Sequence, residues 1–151
     1  MEKVNVKEII FRIGDVGNGE SVGWVPYSKA IKRIILDYIS SQRKRPWGTA
    51  TITTEIFTIL ADWDSFYREK NQLDSEGYFF KTHKELFKEW GVKEDAINTS
   101  VKFLVEMGWV DKKNKDMFID GHPQTTPCYR INHEKIIKDI QKKYPSLQKL
   151  F

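Results

Sequence analysis

An α+β fold, mainly α, is what the 151-residue sequence predicts, on three observations. Apolar residues recur at helical spacing in four stretches, near residues 29–41, 54–71, 93–107 and 133–144. Short aromatic or β-branched runs at 78–81, 109–111 and 128–132 are too brief for helices and have the composition that strands favour. Near the start, residues 7–13 (Ile9, Ile10, Phe11, Ile13) and 22–27 flank Asn18-Gly19, a pair that favours a positive-φ turn and so an N-terminal β-hairpin.

The glycines of that turn (Gly14, Gly17, Gly19) do not make a phosphate loop, because no Gly-Lys-Ser/Thr follows and the required helix is missing. Pro26 and Ser28 introduce the helix near 29–41, whose Ile31, Ile34, Ile35, Tyr38 and Ile39 form one stripe. Next comes Gln42-Arg43-Lys44-Arg45-Pro46-Trp47-Gly48, a basic turn with an aromatic inside it. Such a turn can grip phosphates while Trp47 stacks on a base, or it can be a solvated link whose tryptophan packs inward. Residues 54–71 are expected as the longest helix, with Ile56, Ile59, Leu60, Trp63, Phe66 and Tyr67 on one side. Residues 74–77 then turn the chain into a short strand at 78–81.

Thr82 followed by Glu85 fits a capping box, so a short helix begins near His83, with Leu86, Phe87 and Trp90 as its apolar face and Gly91 after it. From Lys93 a second helix carries Ala96, Ile97, Val101, Leu104 and Val105 on one side and Asp95, Asn98, Thr99, Lys102 and Glu106 on the other. Gly108 stops it. Strands at 109–111 and 128–132 are expected to pair antiparallel across a long loop, because Gly121, Pro123 and Pro127 bar regular structure between them. Asn132 can cap a last helix containing Ile136, Ile137 and Ile140, which Pro145 ends.

The runs GYFFKTHKELFKEWGV, INTSVKFLVEMGWVDKK and YRIN resemble the winged helix-turn-helix domains of phage and plasmid replication proteins, of the replisome-organiser kind. The resemblance covers roughly residues 54–142. It implies one winged-helix domain over 1–151, with an N-terminal hairpin and helix extension at 1–48, the winged core at 49–144 and a tail at 145–151 containing Leu147, Leu150 and Phe151. It also implies double-stranded DNA binding through the second helix of the pair and a basic wing. Carried over residue by residue, it nominates Lys93, Asn98, Thr99 and Lys102 on the helix and Lys112, Lys113 and Lys115 on the wing. Arg43, Lys44 and Arg45 of the basic turn join them as candidates for phosphate.

Charge leaves two classes open. The formal net charge of +4 is a mild bias toward polyanions. The second helix, however, sets Lys93 and Lys102 against Glu94, Asp95 and Glu106, two positive against three negative, and a carboxylate is repelled by phosphate. The alternatives to replication-type DNA binding are therefore a winged-helix transcriptional regulator and a protein-interaction or homodimerisation module that does not read DNA.

An enzyme is not expected. His122, Cys128 and His133 have no zinc-ligand spacing, Asp62 and Asp64 cannot face one substrate from a helix, and no serine lies in a Gly-x-Ser-x-Gly elbow. No metal or cofactor is implied. A single cysteine agrees with a reducing compartment, and with neither a ~20-residue apolar run nor a leader-like start the expectation is a cytoplasmic protein that makes no membrane contact.

Overall fold

The computed structural model describes residues 29–82, 84–85 and 91–146. The expected hairpin over 7–27, the side chains of His83, Leu86, Phe87 and Trp90, and the tail residues Leu147, Leu150 and Phe151 lie outside the described residues. Within them the order is α1 (Lys29–Ser40), α2 (Trp47–Glu69), β1 (Phe79–Phe80), α3 (Glu94–Glu106), β2 (Val110–Ile119), β3 (His122–Ile131) and α4 (His133–Lys143). The strands form one antiparallel sheet in the order β1-β3-β2. The chain is thus α+β, with helices predominating.

On α1, Ile31, Ile35 and Ile39 are fully buried, a ridge at i, i+4 and i+8 that enters the same core as α2. The basic turn is short, and α2 begins at Trp47, seven residues before the periodicity placed it. Three threonines and Gly48 obscure the helix in sequence, since both types are poor helix formers. The structure compensates locally: Thr51, Thr54 and Thr58 return their hydroxyls to the carbonyls of Trp47, Ala50 and Thr54, and Ala50, Thr53 and Thr54 are buried. A boundary at 48/49 accordingly falls inside α2. The extension and the core share this helix.

Trp109 is the keystone between layers. Its ring packs 5.2 Å from Phe57 of α2, and its indole N–H donates to Asp139 of α4 at 2.7 Å, so a fully buried side chain keeps its one polar atom satisfied. The capping box at Thr82 forms as the sequence implied: the Glu85 N–H donates to Thr82 Oγ1 and the Thr82 N–H to Glu85 Oε1.

The region after α3 differs from the expected loop. Residues 110–131 form a regular hairpin of two ten-residue strands closed by Asp120-Gly121, both at positive φ (52° and 78°). A two-residue turn of this kind matches the strand twist and fixes the register. Counting outward from the hydrogen-bonded pair Ile119 and His122, Pro123 (opposite Phe118) and Pro127 (opposite Asn114) both fall on non-hydrogen-bonded positions, where the ladder needs no N–H. Pro123 therefore interrupts nothing, whereas the Pro127 nitrogen faces β1: its carbonyl accepts the Lys81 N–H at 3.3 Å but no bond returns, and β1 ends at Phe80. Asn132 stands at the start of α4 but makes no side-chain cap; its amide donates to the Gly108 carbonyl at 2.8 Å.

Candidate nucleic-acid interface

On α3, Ile97, Ser100, Val101, Phe103 and Leu104 are buried, and Ser100 meets Thr53 of α2 through their hydroxyls at 3.2 Å. Val105, expected in the core, is 41% exposed, because the buried stripe runs through Phe103 instead. Lys93, Asn98 and Lys102 are exposed and Thr99 is half-buried. Glu94 and Asp95 lie in the first turn, where the helix dipole favours acids.

The basic turn reaches this helix. The Arg43 guanidinium sits 5.2 Å over the Phe103 ring and donates to Thr49 Oγ1 at 3.2 Å. Tyr38 of α1 packs edge-on against the same ring and donates its hydroxyl to Glu106 at 3.0 Å. Burial and this acidic partner raise the Tyr38 phenol above its ordinary value. Glu106 is thereby drawn to α1, while Lys102 stays exposed next to Phe103. Lys44 and Arg45 are exposed, with no ion-pair partner among the described residues. Trp47 is 65% exposed, so it does not pack inward. Arg43 thus brings the basic turn into contact with the C-terminal half of α3 through Phe103, away from the acidic first turn.

The lysines of β2 do not join the basic turn as a group. Side chains alternate along β2, so Lys112 shares a face with Asn114, Asp116 and Phe118, and Lys113 and Lys115 project from the other. On that other face the 74–78 turn lies across the sheet. Asp74 accepts backbone N–H bonds from Glu76 and Tyr78, each at 2.9 Å, and its other oxygen pairs with Lys115. Lys113 bonds Glu76 at 3.0 Å, and Arg130 bonds Asp111 at 2.7 Å. All three cations surround the ring of Tyr78, with Lys113 3.9 Å and Arg130 4.7 Å from its centroid. Partial burial works against the Asp74 carboxylate, but the Lys115 ammonium and the two N–H groups outweigh it and hold its pKa down at about 2. Lys115 is raised in turn by Asp74.

Beyond the hairpin, Asp64 is fully buried on α2, within 3.0 Å of His133 Nε2 and 3.2 Å of the Arg68 guanidinium. Sequence reading missed this joint between α2 and α4. The i, i+4 spacing of Asp64 and Arg68 was its legible half; nothing in the sequence tied His133 to them. The Tyr78 cluster was missed too, since its partners lie far apart along the chain.

His122 stands beside the hairpin turn and Cys128 is buried mid-strand. Among the described residues no three His, Cys, Asp or Glu side chains converge as a metal site, and no helix is long and apolar enough to cross a membrane. Among protein-family models, curated proteins and solved structures, none matches the chain.

Proposed function

We propose that the chain is a winged-helix-type module that binds double-stranded DNA through the exposed side of α3 and the Arg43, Lys44 and Arg45 turn. The resemblance of its helix pair to replisome-organiser proteins favours replication initiation over transcriptional control. Support for the fold reading comes from element order: α2, β1, a helical turn at Lys84 and Glu85, α3, then the β2–β3 hairpin, with β3 central in the sheet. In that order α3 takes the place of the helix that lies in the major groove.

The observation that carries the proposal is the seating of Arg43 over Phe103, which ties the turn bearing the exposed Arg43, Lys44 and Arg45 to the helix that bears the exposed Lys102. Asn98, on the same exposed side, can pair bidentately with adenine. Lys93 and Thr99 lie within reach of the same groove, and Lys112 is the wing residue left to touch backbone. Lys113 and Lys115 serve the fold instead.

A salt titration of duplex binding tests this directly. Replacing Arg43, Lys44 or Arg45 by alanine reduces the log-log salt slope by about 0.9 each if each meets one phosphate. Lys113→Ala and Lys115→Ala leave the slope in place. Asn98→Ala relaxes the preference at one base pair by roughly 1–3 kcal/mol. No salt-sensitive duplex binding at low ionic strength would sink the reading.

A protein-binding role is the second reading, and one observation favours it. The hairpin tip carries Asp116, Asp120 and Phe118 with no lysine or arginine between residues 116 and 125, and Phe118 is 78% exposed. An acidic, apolar tip suits protein better than phosphate.

A further inference from the structure

We infer that β2 is a pairing edge for a second copy of the same chain, and that two hairpins join antiparallel about a two-fold axis at Asn114. The inference does not rest on the DNA reading, although it engages Lys112, which that reading leaves to the DNA backbone. It starts from the sheet order: β3 is central, and among the described residues no strand pairs with the outer side of β2. Ladder alternation turns the backbone N–H and C=O groups of Lys112, Asn114, Asp116 and Phe118 away from β3, toward that open side. At ten residues β2 is about twice the usual strand length, and a long unpaired edge is a template for another strand.

Charge selects the partner and the register. In an antiparallel pair centred on Asn114, Lys112 of one copy stands opposite Asp116 of the other, and two-fold symmetry repeats the contact. The same surface meets itself, as an isologous interface requires. Centring on residue 112 sets lysine against lysine, and centring on residue 116 sets aspartate against aspartate. Like charges directly opposite are destabilising. The Asn114 register also carries Phe118, the most exposed of the large apolar side chains described, over the start of the second copy's β2 at Val110, whose own side chain is buried.

On the reverse face this register sets Lys113 opposite Lys115 of the other copy. Their neutralisation within each chain, by Glu76 and Asp74, removes the repulsion that would otherwise oppose the pairing. Asn114 itself faces Pro127 at a non-hydrogen-bonded position, so its N–H is not used inside the hairpin.

The test is a charge swap read by sedimentation and light scattering on the full chain. The wild type at tens of micromolar gives twice 17.8 kDa. Lys112→Glu and Asp116→Lys each weaken association roughly tenfold or more, and the double variant restores it. Within one chain these two residues lie four apart on the same strand and are not cross-strand partners, so restoration reports a contact between copies. Asn114→Pro, which costs the hairpin no ladder bond, gives a folded monomer by circular dichroism. A wild-type monomer overturns the inference and makes Lys112 and Asp116 the charges that keep this edge unpaired. So does a dimer that Asn114→Pro leaves intact, or a double variant no better than the single ones.

Discussion

Lys115 and Asp74, 41 residues apart in the chain, form an ion pair that ties the hairpin to the turn before β1. The pair turns a lysine whose place in sequence suggested phosphate contact into a strut of the fold.

Its pH dependence follows from the carboxylate. The folded pKa of Asp74, about 2, lies below its ordinary value of 3.8, so the contribution to stability is complete above about 3.8 and is lost as pH falls through about 2. Asp74→Asn should therefore be less stable than wild type at neutral pH, with the gap closing between pH 4 and 2. Equilibrium denaturation across that window is the measurement. A gap that stayed constant with pH would show that the pair contributes nothing.

The exposed Trp47 and the buried Trp109 should separate cleanly under mutation. Trp47 is 65% exposed and Trp109 is fully buried. Trp47→Ala is expected to change stability by no more than about 0.5 kcal/mol, and Trp109→Ala to cost roughly 3–5 kcal/mol. Asp139→Ala, which leaves the Trp109 indole N–H unpaired in the interior, should cost about 1–3 kcal/mol. Urea melts decide all three.

The elements of this fold were legible where one face is apolar and uninterrupted, as on α1, where every fourth residue is buried isoleucine. They were illegible where the sequence carries residues that usually break structure but do no harm in place. Gly48 and the threonines of α2 hid the first two turns of a helix, because hydroxyl back-bonding and burial cannot be seen in periodicity. Pro123 and Pro127 suggested a loop, and only the register fixed by Asp120-Gly121 shows that neither costs the β2–β3 ladder a bond. For the candidate site, Arg43 and Lys102 could be named from residue type alone. What the sequence hid was which cations are spent: Lys113 and Lys115 look equivalent to Lys112 until strand alternation turns them toward Glu76 and Asp74.

Asp64, Arg68 and His133 invite a double-mutant cycle. The carboxylate is fully buried, and two partners compensate it. Removing one leaves the other in place, whereas Arg68→Ala with His133→Ala strands a buried charge at a cost of roughly 3–5 kcal/mol. The double loss should exceed the sum of the single losses. Strict additivity would mean that Asp64 is solvated in the variants and that the joint is not cooperative.

The exit of α3 into β2 sets the angle between the proposed reading helix and the hairpin, and it rests on Gly108. The Gly108 N–H donates to the Val105 carbonyl and the Trp109 N–H to the Leu104 carbonyl, each at 3.0 Å, the two bonds of a Schellman cap. Asn132 then fastens both residues, its side chain to the Gly108 carbonyl and its N–H to the Trp109 carbonyl. With φ at 76°, Gly108 occupies the left-handed region, although an added Cβ would meet only the Lys135 side chain at an ordinary 3.6 Å. The cost of Gly108→Ala is therefore conformational and not steric, about 1–2 kcal/mol. Asparagine tolerates this region better than alanine, so Gly108→Asn should lose less, a ranking opposite to the helix propensities of the two residues. Thermal melts of both variants check it, and an alanine variant as stable as wild type would remove the cap from the account of how α3 is aimed.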